Sequence, residues 1–216
     1  MTLDANRPAP VCRVPGRRRR LAAATLVTLT LLSVAACSSD PNSIAAQAKA
    51  GDNKGFVAGD GTVEQLAVPQ RGAPLQLTGT TVTGADWSMA KDAGGKVVVV
   101  NVWGSWCGPC VEEMPHLQTV WSAYAAAKKP VAFIGVDINE PPATGASFLQ
   151  VNGVTYPSIN NQASNAQPML ALQGKAAATP TTLVLDRQGR IAARVLGATT
   201  VSTLTALVDD VLAEKA

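Results

Sequence analysis

The stretch of this chain whose residue types and spacing can do covalent chemistry is Cys107-Gly108-Pro109-Cys110. Two cysteines three residues apart can close a small disulfide ring. The residues before them, 97–103 (VVVVNVW), form a continuous β-branched run after Gly94 and Gly95, which predicts a strand buried on both faces. The residues after them suit a helix to about Lys128. Cys107 then stands at a helix N-terminus, where unpaired N–H groups and the positive dipole end favour a thiolate. Cys110 lies one turn inside and is expected to be the more buried. Such an asymmetric pair suits thiol–disulfide exchange: one sulfur attacks a substrate disulfide and the other resolves the mixed disulfide.

Other uses of two cysteines at this spacing fit less well. A structural zinc site needs two more ligands. Cys12 lies in the leader, Cys37 directly follows it, and His116 is the sole histidine, so no metal is expected. Attachment of a c-type haem needs histidine directly after the second cysteine, where this chain has Val111. A purely structural disulfide stays open, although so short a loop removes little unfolded-state entropy.

The elements that must position the pair can be read on either side of it. Residues 130–137 (PVAFIGVD) predict a second buried strand, and 181–185 (TTLVL) a third. Asp186-Arg187-Gln188-Gly189 reads as a hairpin turn, with 191–195 as the antiparallel return. Residues 143–152 suit a helix capped by Thr144, 155–159 a short strand, and 165–173 a short helix. Residues 201–215 repeat Leu204, Leu207, Val208, Val211 and Leu212 at helical spacing. Upstream, 63–68 and 75–82 read as edge strands. The order implies an α/β fold, a central sheet with helices on both faces. Pro115 is expected to kink the first helix. Glu112 and His116 read as solvent-facing, Asn139-Glu140-Pro141-Pro142 as a surface turn, and Trp87, Trp103 and Trp121 as packing residues.

With these residues in place, the chain resembles the TlpA/ResA-like branch of the thioredoxin superfamily, which are extracytoplasmic, membrane-tethered thiol–disulfide oxidoreductases. The match runs from Val100 through Trp106-Cys107-Gly108-Pro109-Cys110 to Glu113, Met114 and Pro115, and returns at Ala178-Thr179-Pro180-Thr181-Thr182 and TLVLDRQGRI. The resemblance implies a thioredoxin-like fold over roughly residues 70–214: a central mixed β-sheet flanked by helices, with an N-terminal extension and a central insertion. It implies that Cys107 is the nucleophile, Cys110 the resolving cysteine, and Pro180 a cis-proline shaping the substrate groove. Thr179 would offer backbone hydrogen bonds to an extended peptide, beside Trp106, Gly108 and Pro109. Glu113, one turn beyond Cys110 on the helix, would be a carboxyl near the pair, raising thiol pKa values and moving protons. The chain departs from thioredoxin at Asn101, where thioredoxin has a buried aspartate. Either Glu113 takes that proton role or buffer and substrate supply it. Thr179 replaces the branched aliphatic residue of many relatives, at a position that tunes redox direction.

The 216 residues are 47% hydrophobic and 15% charged, which excludes a disordered chain, and four cysteines are too few for a disulfide-stapled scaffold. The net charge of +3 belongs to the leader. Residues 1–36 hold six arginines and one acid, so the remainder has 12 basic and 14 acidic residues and no nucleic-acid footprint. Arg17 to Arg20 precede sixteen uncharged residues, about 24 Å of helix and short of a bilayer span. Leu32-Ser33-Val34-Ala35-Ala36-Cys37 resembles a bacterial lipobox, which implies that Cys37 is lipidated after removal of residues 1–36. The Ser/Ala/Gly-rich stretch after it reads as a tether; residues 37–69 are assigned to it and 70–216 to the folded domain. The expected function is a lipid-anchored oxidoreductase on the extracytoplasmic face of the cell membrane, with no cofactor beyond the Cys107–Cys110 disulfide. The resemblance implies that it reduces the CxxCH cysteines of apocytochrome c and is recharged by a thiol-reducing membrane donor. The rival readings are an oxidase or isomerase of exported proteins, and a non-catalytic binding lipoprotein on the same fold.

Overall fold

The fully buried strand Val97–Trp103 is the centre of the sheet. Its alternate side chains serve two separate cores: Val97, Val99 and Trp103 face one, and Val98, Val100 and Val102 the other. The computed structural model describes residues 61–172 and 174–214. The leader, Cys37 and the tether as far as Asp60 lie outside the described residues.

In chain order the strands are β1 (Thr62–Gln65), β2 (Thr78–Thr80), β3 (Asp86–Ser88), β4 (Val97–Trp103), β5 (Val131–Asp137), β6 (Ser158–Asn160), β7 (Thr181–Leu185) and β8 (Ile191–Leu196). The helices are α1 (Met89–Asp92), α2 (Gly108–Ala126), α3 (Pro142–Val151), α4 (Gln167–Ala171) and α5 (Val201–Ala213). Six strands form one mixed sheet in the order β1-β8-β7-β4-β5-β6, with β4, β5 and β6 parallel and the other pairs antiparallel. β2 and β3 form a separate two-stranded ribbon.

α2, α3 and α5 cover one face, with Met114, Leu117, Leu149, Leu204 and Val208 in its core. Short pieces cover the other: Leu75, Leu77, Trp87 on β3, Met89 on α1 and Leu172 after α4. Both faces are therefore covered, as the element order implies, but the long helices gather on one of them. Trp103 is fully buried, Trp87 nearly so, and Trp121 meets Phe133 at a tilt, so all three pack as expected.

Three expectations need correction. The folded body begins before residue 70, because β1 pairs along β8 from Thr62↔Leu196 to Gln65↔Ala193. The edge-strand reading of 63–68 holds only as far as Gln65, that of 75–82 shrinks to β2 in the separate ribbon, and the tether boundary at 69 does not hold. Thr144 is not the cap of α3. Its N–H already bonds to Pro141 O, and the helix starts at Pro142, which needs no hydrogen-bond partner and holds the residue before it extended. Glu140 is buried, so the segment from Asn139 to Pro142 is not simply a surface turn. The helix α2 runs unbroken through Pro115, whose missing N–H falls on the exposed side.

Arg71 ties the start of the body to its end. It donates to Leu66 O, to Asp186 in the β7–β8 turn, and to Glu214 just past α5. That turn is closed as its sequence suggests: Asp186 Oδ1 accepts from the N–H of Gln188 and of Arg190, and Gly189 adopts φ +79°.

Candidate active site

β4 ends at Trp103, and α2 begins five residues later with Cys107 as its N-cap. The Cys107 sulfur accepts the Cys110 N–H at 3.3 Å, filling one of the orphan donors of the helix start. The two sulfurs are joined in a disulfide, with Cα atoms 5.2 Å apart. Burial does not separate the cysteines as expected: Cys107 is 1% exposed and Cys110 0%. What separates them is position, Cys107 at the helix end and Cys110 within the first turn. Gly108 beside them is exposed and Pro109 half-buried.

The peptide bond Thr179–Pro180 is cis. Thr181 pairs with Val102, so this bond lies at the end of the sheet where β4 gives way to the cysteine loop. Thr179 is buried, and Pro180 O accepts from Gly197 N. Trp106 does not stand free. Its indole N–H donates to Ile138 O at 3.0 Å, and the ring lies so close over Gly104 that a Cβ there would fall 2.4 Å from the indole nitrogen.

Glu113 shares the buried face of α2 with Cys110 and is fully enclosed. Oε1 accepts from Asn101 Nδ2 at 2.8 Å, and Oε2 from the Thr199 N–H at 2.9 Å. Burial pushes its carboxyl up to about 7, against the opposing pull of the Thr199 and Asn101 hydrogen bonds. A proton is thus gained and lost near neutrality inside the helix that carries the disulfide. Asn101 is no proton carrier, yet it is a donor that orients the carboxyl which is one. It also donates to Thr182 Oγ1 on β7. Glu112 and His116 are exposed, and the His116 ring meets Thr199 O.

Some residues of the site escape a sequence reading. Thr199 is 86 residues from Glu113, and nothing local marks it. Glu140 accepts from Ser105 N at 2.8 Å and from Ser105 Oγ, directly beside Trp106 and Cys107. Its only trace in the sequence is an acid closely following the end of a buried strand.

Comparison with known proteins agrees with this geometry. The Redoxin family model matches residues 67–208. Thiol-disulfide oxidoreductase ResA of Geobacillus thermodenitrificans is 31% identical over 112 residues, which are 50% of this chain and 59% of that one. The chain therefore spans under two thirds of that curated relative. A DsbF homologue from Corynebacterium diphtheriae superposes with a TM-score of 0.58 at 30% identity, covering 70% of this chain and 94% of that one. A secreted thiol-disulfide isomerase from Corynebacterium glutamicum superposes at 0.59 and 27% identity, covering 74% and 97%. The thioredoxin-like fold implied by the resemblance is the fold of this chain. With most of the described body matched, including the strand, the cysteine pair and the cis-proline segment, the chain belongs to the Redoxin family.

Proposed function

We propose that the chain is a thiol–disulfide oxidoreductase acting on protein disulfides outside the cytoplasmic membrane, working as a reductant. The observation that carries the reading is the Cys107–Cys110 disulfide at the N-terminus of α2, on the same helix as a buried carboxyl that titrates near neutrality. In the reduced protein, the Cys107 thiolate attacks a substrate disulfide, forms a mixed disulfide and expels one substrate thiolate. Cys110 gives up its proton and its thiolate attacks the Cys107 sulfur, expelling the second substrate thiolate. The electron pair of the dithiol has then passed to the substrate, and a thiol-reducing donor at the membrane must restore it. Glu113 is the proton acceptor for Cys110, and Asn101 and Thr199 hold it in orientation. Thr179 and Pro180 offer backbone to an extended client, flanked by Trp106, Gly108 and Pro109.

The Gly-Pro pair between the cysteines supports the reductant direction, since it resembles thioredoxin, with its potential of about −270 mV. Under this reading the client is the cysteine pair of apocytochrome c, and Cys37 anchors the protein to the membrane by lipid. Likeness to a secreted thiol-disulfide isomerase favours the second reading, an oxidase or isomerase of exported proteins.

The deciding experiment equilibrates the pair against a dithiol buffer. A potential at or below about −250 mV is expected, and one near about −120 mV overturns the reductant reading for the oxidase. Cys110→Ser is expected to trap a client on Cys107 as a mixed disulfide visible by mass spectrometry. Absence of any adduct overturns the assignment of the two sulfurs.

A further inference from the structure

Three hydrogen bonds fasten the cysteine loop to one short segment. Ser105 gives its N–H and its hydroxyl to the Glu140 carboxylate, and the Trp106 indole gives its N–H to Ile138 O. Asn139, between those acceptors, takes a left-handed conformation, φ +57°. Asp137, at the end of β5, is fully buried, with Glu140 as its neighbouring carboxyl. Two carboxyl groups bond to each other only when one carries a proton. Asp137 Oδ2 already accepts from Asn160 Nδ2 at 2.7 Å, while Oδ1 is buried and receives no donor, which suits it to carry that proton. Asn160 also donates to Glu140 O, so β6 closes the cluster.

We propose that Asp137 and Glu140 form a proton-sharing carboxyl latch that positions the Ser105–Trp106–Cys107 loop, and that loss of the shared proton releases it. Burial pushes the Asp137 carboxyl far above the ordinary range, with the bond to Glu140 and its charge adding to this and the Asn160 bond opposing it. The groups facing the pair are Ser105 from the cysteine loop, Asn160 from β6 and the backbone of Gly145 from α3; the charged group acting on Asp137 is Glu140. While Asp137 keeps its proton, the two carboxyls can share it and Ser105 brackets Glu140. When that proton is lost, the two carboxyls repel. Both acids are positioning residues, and their consequence at Cys107 rests on the exchange reading above.

The test follows the Trp106 indole N–H by NMR in the full chain from pH 6 to 10, identified by its loss in Trp106→Phe. Cys107 alkylation is measured alongside in the reduced protein. The wild-type indole signal is expected to move through an inflection above pH 7. Asp137→Asn donates permanently to Glu140 and still accepts from Asn160, so the signal should keep its neutral position and lose the inflection. Glu140→Gln retains an acceptor for Ser105 and should do the same. Glu140→Ala should displace the signal at every pH and change Cys107 alkylation at pH 7 by more than threefold. An inflection that survives in Asp137→Asn overturns the latch. So does a Glu140→Ala signal coincident with wild type. If Glu140→Ala does not fold, the two conservative variants decide. A wild-type protein that exchanges no disulfide with glutathione while the indole behaves as described overturns the exchange reading and leaves the latch standing.

Discussion

Glu113 and Asn101 have to be understood together. A carboxyl whose pKa is about 7 in the folded protein and 4.5 otherwise binds more protons folded than unfolded between those values. Stability from this group is therefore full at acid pH and lost as pH rises from about 4.5 through 7, by roughly 3 kcal/mol in total. Glu113→Gln removes the titration. Its amide can keep the Thr199 bond and donate to Asn101 Oδ1, a buried acceptor without a donor in the present arrangement. The variant should match wild type near pH 4 and exceed it at pH 8; denaturant unfolding at both pH values checks this. A variant weaker than wild type at pH 8 would mean that the carboxyl contributes more by its bonds than it costs by its burial. Sequence alone places Glu113 on the helix face of Cys110. It says nothing of Asn101 and Thr199 as donors, because those contacts span 12 and 86 residues.

At the scale of elements, α3 docks on the end of β5 through Gly145. A Cβ there would fall 2.3 Å from Asp137 Oδ2 and 3.2 Å from Val82 Cγ1. Two effects compete in Gly145→Ala. Helix propensity favours alanine by about 0.5–1 kcal/mol. Overpacking against a buried, bonded carboxyl costs about 1–3 kcal/mol. The collision should win, lowering the denaturation midpoint with little change in its slope. The reading of α3 from its own residues gave its extent within a residue and misjudged its cap. Pro141-Pro142 fixes the start without any side-chain cap, and that backbone rule outweighs the attraction of a threonine two residues later. The hairpin turn was legible for the opposite reason: Asp186 and Gly189 act within a few residues of each other.

Across the whole molecule, Arg71 joins three distant parts: the chain leaving β1, the β7–β8 turn and the end of α5. Its ion pair with Asp186 is at 3.0 Å, with both side chains buried, while Glu214 is partly exposed. Arg71→Ala would leave Asp186 with Arg190 as its remaining ion pair among the described residues. Breaking a buried pair from one side costs about 3–5 kcal/mol, and the remaining partner argues for the low end, about 3 kcal/mol. For a domain of this size that is a fall in Tm of roughly 6–12 °C, readable by calorimetry. A fall under 2 °C would show that the lash adds nothing to the fold. This clasp also explains why residues 62–69, assigned to the tether from the sequence, belong to the body. β1 is a short, mostly exposed strand with few apolar residues. Its place comes from β8, which offers an open edge, and from Arg71.

Beyond the cis-proline segment, which only the family resemblance implied, the sequence by itself determined the strand–cysteine loop–helix junction, the order of strands and helices from β4 onward, and the turn between β7 and β8. Each is written in residues close together in the chain, where spacing, turn chemistry and capping act. Only the tertiary structure decided how the site is held. The Glu113 cradle, the Ser105–Glu140 bracket and the Arg71 clasp join residues up to 86, 35 and 143 positions apart. A buried polar side chain takes whichever partner folding brings to it. That partner is set by sheet register and helix docking, and these are properties of the packed chain rather than of any segment within it.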